Sequence, residues 1–368
     1  MATGRYLRHS LIDWFSQDQV KNSKIAVIGA GAVGNEVIKN LTLLGVGHID
    51  IYDFDTIEIH NLTRSVLFRE TDIDCEKAVT AKKRAKELDG SVHVTSFHGD
   101  VWETLTLATL KTYTCVISGV DNFDARLKLS TLCLLCEVDF INVGIDSRYA
   151  SVEVFPYSGI VPCACYECNL PGSVYERIQD RYSCGWLKKA SYTEKKIPTT
   201  IITSSIAGAI SASVALRLCN CDAEIGSYKI LYDTINNSLS KTSYDRHDDC
   251  IVCTIPRQKI LLRSSNNGDC FDSINVDSGL KITTSDQIIV RAVCKKCNKS
   301  FDEYTYRNTR RVSDRIMKCD ICDTMSVDVV IKDSFTVDEF KLLTSIAHLD
   351  TKYFSFLLNN IMYIVEME

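Results

Sequence analysis

Gly29-Ala30-Gly31-Ala32-Val33-Gly34 is a segment that could bind phosphate: bare glycines let backbone N–H groups and the opening turn of a helix approach an oxyanion. Asp53, at the end of the next apolar run, occupies the position from which a carboxylate takes ribose hydroxyls. Alone, these residues suggest a nicotinamide-dependent oxidoreductase. Such an enzyme has no task for the polar residues farther along the chain. Asp53-Phe54-Asp55 leads to Asn61-Leu62-Thr63-Arg64, then to Lys77, and after another apolar run to Asp121, with Arg126 five residues on. Each has a plainer reading, Arg64 and Lys77 as solvated charges and Asp121 as a helix cap. Their joint order favours chemistry, because catalytic groups of open α/β folds collect at strand carboxyl ends.

The thiols form a second set. Seventeen cysteines exceed what packing requires, and a reducing compartment does not sustain a disulfide framework. Cys165-Tyr166-Glu167-Cys168 and Cys250-Ile251-Val252-Cys253 are Cys-x-x-Cys knuckles, each able to give two thiolates to one tetrahedral Zn²⁺. Cys294 and Cys297 repeat the pattern with Cys319 and Cys322, at a spacing close to that of a zinc ribbon. Cys163 is left out, since Cys-x-Cys geometry suits a knuckle poorly. Cys133, Cys136 and Cys219 lie on apolar helix faces and read as core.

Apolar periodicity gives the elements that must hold these groups. A strand over Lys24 to Gly29, a helix through Leu44 and a strand over His48 to Phe54 make a βαβ unit. Strands over Val92 to Phe97, Thr114 to Ser118 and Phe140 to Val143 alternate with helices over Lys77 to Leu88 and Asp124 to Leu135. This predicts an α/β, Rossmann-like, doubly wound and largely parallel sheet. The composition changes from about Pro256, so a boundary near Thr254 separates a main domain, 1–254, from a small zinc-ribbon-like region, 255–368. A chain of 368 residues with 45% apolar content can bury one large and one smaller core.

The net charge of −5 and the scatter of Lys and Arg give no attraction for a phosphate backbone, so nucleic acid is excluded as a partner. Met1 to Phe15 lacks the apolar stretch of a secretory signal, so a cytoplasmic protein is expected. Ile201 to Cys219 is apolar but rich in hydroxyls, and suits a buried helix better than a membrane span.

The Asp-x-Asp at Asp53 and Asp55, the Asn-x-x-Arg at Asn61 and Arg64, the downstream Lys77, and Asp121 in Gly119-Val120-Asp121-Asn122 resemble the ThiF/MoeB/HesA/ubiquitin-activating-enzyme superfamily of ATP-dependent adenylyltransferases. The resemblance covers about Arg5 to Cys253. It implies adenylation of the C-terminal carboxylate of a ubiquitin-like or sulfur-carrier protein, with ATP and Mg²⁺. Adenylation needs a nucleotide held by its ribose, a triphosphate neutralised by cations, and a carboxylate aimed at the α-phosphorus. On this reading Gly29, Gly31 and Gly34 cradle phosphate, Asp53 takes the ribose, Arg64 and Lys77 the phosphates, Asn61 a phosphate oxygen, and Asp121 the Mg²⁺. Arg5-Tyr6-Leu7-Arg8 is similar to the family's N-terminal Arg-Tyr-x-Arg, which implies a homodimer with Arg8 reaching the partner's nucleotide. Cys165, Cys168, Cys250 and Cys253 would clamp the crossover region, about 165–200, to the strand that ends the domain.

Cys184, in Ser183-Cys184-Gly185-Trp186, has a placement similar to the crossover-loop thiol of ubiquitin-activating enzymes. It could take the acyl group as a thioester, with Lys188, Lys189, Lys195 and Lys196 lowering its pKa, or it could be a cysteine packed beside Trp186. A second use of the same chemistry is activation of a ribosomal precursor peptide in peptide-antibiotic biosynthesis, since Asn61 to Phe68 is similar to those enzymes too. The contrasting classes are the oxidoreductase and an inactive scaffold whose zinc ribbon binds partners.

Overall fold

Ile25, Ala26, Val27 and Ile28 run without a polar break, the pattern of a strand covered on both faces, and they form β1 (Lys24–Ile28) with all four side chains buried. The structure, a computed structural model, describes residues 4–159, 161–170, 198–220, 226–250, 252–253, 259–264, 279–309, 319–323, 327–346, 351–359 and 361–367. A short helix, α1 (Gln17–Asn22), precedes β1. After β1 the glycine loop enters α2 (Ala32–Leu44), which runs back to the amino edge of the sheet and ends on Gly45 in the left-handed conformation. β2 (His48–Asp53) then pairs with β1 in parallel, Tyr52 opposite Ile28.

The strand–helix–strand step repeats. α3 (Lys77–Leu88) leads to β3 (His93–His98), and two short helices, α4 (Val101–Thr104) and α5 (Leu107–Leu110), lead to β4 (Cys115–Ser118). α6 (Phe123–Cys136) connects β4 to β5 (Asp139–Ile145), which is followed by β6 (Tyr149–Phe155). Beyond the crossover region come α7 (Ile201–Cys219), β7 (Tyr228–Asp233) and β8 (Ser238–Ser243). The sheet order is β3-β2-β1-β4-β5-β6-β7-β8, parallel through β5 and antiparallel from there. This is the doubly wound sheet expected. Its order reverses between β1 and β4, where open α/β sheets form their ligand crevice.

By length and composition α7 could cross a membrane, yet Thr203, Ser204, Ala207, Gly208, Ser211, Ala212 and Val214 are buried, as expected of a core helix. It packs on α2 and on β5 and β6. The two helices approach almost backbone to backbone: a Cβ on Gly208 would fall 2.4 Å from that of Glu36. Glu36, itself buried, accepts a hydrogen bond from Ser205 across the contact at 2.8 Å. Sealing Leu216 and Leu218 away from water contributes roughly 2 kcal/mol each.

The chain divides into two compact units; the first ends at the second cysteine pair, and the second holds the described residues from Lys259 on. That second unit contains a five-stranded sheet of order β11-β10-β12-β13-β9. Its strands are β9 (Lys259–Ser264), β10 (Lys281–Cys294), β11 (Val327–Thr336), β12 (Tyr353–Leu358) and β13 (Ile361–Met367). Phe340 of α8 (Val337–Ile346) packs with Ile282, Phe335, Phe354 and Val365 to form its core. The region read from sequence as zinc-ribbon-like thus also carries a sheet and a helix. The cysteine pairs lie at one end of the β10–β11 hairpin, around Phe301 and Ala292.

Candidate active site

The glycine loop closes the carboxyl end of β1. Gly29 has φ +94°, in the region that favours glycine, and a Cβ there would meet the Gly119 carbonyl at 3.2 Å. The loops after β1 and β4 therefore abut through backbone. Gly34 is more tightly constrained, since a Cβ would fall 1.9 Å from the Gly29 carbonyl oxygen. Gly31 differs: it caps the N-terminus of α2 without a side-chain acceptor, and no atom lies within 4 Å of its Cβ position. α2 thus begins with N–H groups that nothing caps, beside open space, which suits an oxyanion.

Asp53, Asp55 and Lys77 form one connected group at this edge. Asp53 accepts from the Ala30 N–H at 2.6 Å through one oxygen and from the Asp55 N–H at 2.8 Å through the other. Each oxygen keeps a second lone pair for a hydroxyl donor. Burial pushes the Asp53 pKa above its ordinary value, opposed by those N–H bonds and by the charge of Lys77. Lys77, at the start of α3, is buried and places Nζ 2.7 Å from the carboxylate of Asp55, which is half-exposed. Asn61 lies in one 3-10 turn, Ile59–Thr63, and Arg64 caps its end. The Asn61 side-chain oxygen accepts the Glu58 N–H at 2.9 Å, and Arg64 donates to the His60 carbonyl at 2.8 Å. Asn61 therefore braces its own turn, leaving its amide N–H₂ to donate elsewhere.

Asp121 lies in the turn after β4, across the switch point. Its plainer reading as a helix cap does not hold: Asn122 caps α6, accepting the Ala125 N–H at 2.8 Å. Asp121 is exposed, with no hydrogen bond among the described residues.

Asn35, which sequence reasoning missed, ties these parts together. Fully buried, it donates to the Ala30 carbonyl at 2.6 Å and the Gly31 carbonyl at 3.0 Å, and accepts the Leu67 N–H at 2.9 Å. The segment carrying Asn61 and Arg64 is thereby fastened to the glycine loop. The available signal was an amide directly after the last glycine, on a face otherwise apolar.

Arg8 is not with this group. Tyr6 bonds Asp89 beyond the end of α3, and His9 meets Gln17, which donates to the Leu44 carbonyl at the end of α2. Both neighbours fix Arg8 at the amino edge, about 20 Å from its own glycine loop along α2. Cys184 and the nearby lysines lie outside the described residues.

The cysteine pairs do converge. In one cluster Cys165 lies 3.8 Å from Cys168 and 3.5 Å from Cys250, sulfur to sulfur, and Cys168 lies 3.3 Å from Cys253. In the other, Cys294 is 3.5 Å from Cys322 and Cys297 is 3.5 Å from Cys319. All four sulfurs of each set lie within 4.8 Å of one another. Disulfide sulfurs would be about 2 Å apart; a tetrahedral ion with bonds of about 2.3 Å to sulfur spaces its ligands about 3.8 Å apart. Both donor sets fit such an ion, and Cys163 belongs to neither.

The ThiF family pattern matches residues 4–252. SUMO-activating enzyme subunit 2 of Dictyostelium discoideum is 37% identical over 153 residues, 41% of this chain and 23% of that protein. The sulfur carrier protein adenylyltransferase of Thermus thermophilus is 26% identical over 245 residues, 64% of this chain and 84% of that one. The chain spans only about a quarter of the length of the SUMO-activating relatives it matches. A crystal structure of E. coli MccB with AMPCPP and MccA shares the fold at a TM-score of 0.56 and 22% identity, covering 68% of this chain and 74% of that one. With the family pattern spanning the whole main sheet and every element of the carboxyl-edge site, this chain belongs to the ThiF family.

Proposed function

We propose that the protein is an ATP- and Mg²⁺-dependent adenylyltransferase that activates the C-terminal carboxylate of a ubiquitin-like or sulfur-carrier protein. The observation that carries this reading is the carboxyl edge itself: an uncapped helix N-terminus at Gly31, the Asp53–Asp55–Lys77 group, and an Asp121 that neither caps nor pairs. Gly29 to Gly34 and α2 receive phosphate, Asp53 binds the ribose, and Lys77 exchanges Asp55 for a phosphate oxygen. Arg64 and the Asn61 amide add donors along the chain. Asp121 would hold Mg²⁺, which when bound neutralises phosphate charge. The substrate carboxylate, already ionised near pH 7, attacks the α-phosphorus; a P–O bond forms, the bond to the β-phosphate breaks, and pyrophosphate leaves with the electron pair. No general base is required.

The position of Arg8 supports a homodimer. Held at the amino edge of its own protomer, it serves a nucleotide only across an interface. In the conjugation branch the acyl group then passes to Cys184 as a thioester, with release of AMP. A second reading, activation of a ribosomal precursor peptide, draws support from the fold shared with MccB. Both clusters are read as structural Zn²⁺ sites in a cytoplasmic protein. Two zinc ions per chain are expected by elemental analysis, one of them lost in Cys165→Ser together with stability; a stable variant keeping both overturns the assignment.

ATP–pyrophosphate exchange with proteins and peptides ending in Gly-Gly tests the main reading. Exchange with a carrier-like tail supports it, and a thiol-reducible adduct on Cys184 selects the conjugation branch. Exchange with no protein or peptide substrate sinks it.

A further inference from the structure

Arg126 is a buried charge near the site that the proposed chemistry leaves without a task. Although the residue keeps some accessible surface, its guanidinium is surrounded by protein, and burial pulls its pKa below the ordinary arginine value. A charge in that setting is expensive, and an apolar residue of similar volume often serves a fold as well. Its bonds show what the charge accomplishes. One arm donates to the Val120 carbonyl at 2.5 Å, the residue before Asp121. The other donates to Asn142 Oδ1 on β5 at 2.8 Å.

The chain of bonds continues with fixed polarity. Asn142, fully buried, donates Nδ2 to Glu153 Oε2 on β6 at 2.6 Å. Tyr244, just past β8, donates its hydroxyl to Glu153 Oε1, also at 2.6 Å. Because Asn142 and Glu153 face each other in the β5–β6 register, the amide cannot turn over without losing both partners. Glu153 accepts on both oxygens, and its charge, with that of Asp121, favours the charged guanidinium. The turn is also fixed elsewhere: Gly119 N–H bonds the Ile28 carbonyl at 2.8 Å, and Asn122 caps α6. Asp121 is left as the member of the turn whose side chain makes no hydrogen bond among the described residues, its charge acting on Arg126 only through space.

We infer that Arg126 is a positioning residue for the adenylation site, holding the Gly119–Asn122 turn through Val120 while Asn142, Glu153 and Tyr244 fix its guanidinium. The two arms of the fork reach a loop carbonyl and a strand amide at once, a task lysine cannot reproduce. The inference rests on Asp121 acting as the Mg²⁺ ligand of the proposed reaction.

The test compares Arg126→Lys, Tyr244→Phe and Ser130→Ala with the wild type. Ser130 lies on the same helix and shares a buried hydrogen bond with Tyr157 at 2.6 Å, with no bond of its own to Arg126, Asn142, Glu153 or Tyr244, so its variant serves as the control for lost packing. Two readouts are needed: binding of ATP with and without Mg²⁺, and exchange kinetics split into kcat and KM for ATP. Arg126→Lys is expected to raise severalfold the Mg²⁺ concentration needed for half-maximal binding and to lower kcat by about 10²-fold, the scale of a reacting group displaced by about 1 Å. ATP binding without Mg²⁺ should be unchanged, because the glycine loop and Asp53 are untouched. Tyr244→Phe should move both readouts in the same direction by less, and decides the matter if the lysine variant does not fold. Ser130→Ala should lower the melting temperature alone. Variants that fold with wild-type Mg²⁺ dependence and kcat overturn the inference and leave adenylation standing. A wild-type protein whose ATP binding ignores Mg²⁺ overturns the role of Asp121, and this inference with it.

Discussion

The two edges of the large sheet hold similar charges and use them in opposite ways. At the amino edge Asp50 is fully engaged: His48 meets it at 2.7 Å, the Tyr113 hydroxyl at 2.7 Å and Lys24 at 3.1 Å. Tyr113 shares a further bond with Tyr52, and Asp89 gathers Tyr6, Ser91 and Arg5 in the same manner. At the carboxyl edge Asp121 makes no hydrogen bond or ion pair among the described residues, Arg64 makes one bond to a carbonyl, and Lys77 is held by a half-exposed carboxylate. Charges satisfied within the protein hold the fold, and charges left unsatisfied are available for a ligand. Sequence types alone do not separate the two, since both edges carry Asp, Lys and Arg.

Exchanging activity for stability would break this contrast. Asp121→Ala should cost about 10³-fold in exchange rate, the scale of losing a group that stabilises transition-state charge. Its stability should shift by no more than about 0.5 kcal/mol, as for an exposed position. A large drop in melting temperature would show that Asp121 is structural after all. Asp50→Ala should do the reverse, removing about 3 kcal/mol because it strands buried polar partners. Denaturant unfolding measures the loss, and the folded fraction should exchange at the wild-type rate; an unaltered unfolding midpoint would remove Asp50 from the amino-edge framework.

The smallest effect is a pH dependence. Burial lowers the His48 pKa, and the attraction of Asp50 offsets this only in part. The unfolded chain then binds more protons than the folded one below about pH 6.5, so stability should fall as the pH drops from there and level off below the folded value. For Asp50, burial pushes the pKa up, but Tyr113, Lys24 and His48 together bring it below the ordinary value. Its contribution is present above about pH 4 and is lost as the pH falls through the lower folded value. Melting curves from pH 7 to 5 should slope downward for the wild type and flatten in His48→Gln; equal slopes would mean that His48 titrates normally.

Legibility in the sequence follows the same division. Gly29, Asp53, Lys77 and Asp121 can be found because their types and order along the chain already suggest phosphate chemistry. Strands β1 to β5 of the main sheet were also legible, β1 and β4 as apolar runs buried on both faces, whereas β6, β7 and the wholly exposed β8 carry no such run and were not marked in the sequence. Asn35 was not: an amide in a helix is ordinary until Leu67, thirty-two residues away, donates to it. The Arg126 network joins residues up to ninety-one positions apart, and only the sheet brings them together. In the second unit β11 alternates polar and apolar residues with its outer face exposed, a weak pattern that the nearby cysteine pairs overshadow.

The burial of α7 also bears on how the protein is made. Translation delivers β1 through β6 and α2 before Ile201, so the apolar face that α7 covers is complete before its cover exists. Until then Glu36 lacks Ser205, and the nascent chain presents an open greasy surface to chaperones. When α7 does emerge, its length and hydrophobicity resemble what the membrane-insertion machinery recognises, and the waiting groove on α2, β5 and β6 competes for it. Substitutions that loosen that groove, such as a bulkier residue at Gly208, should therefore lower the yield of folded chains in cells more than they lower the equilibrium stability of the chains that succeed.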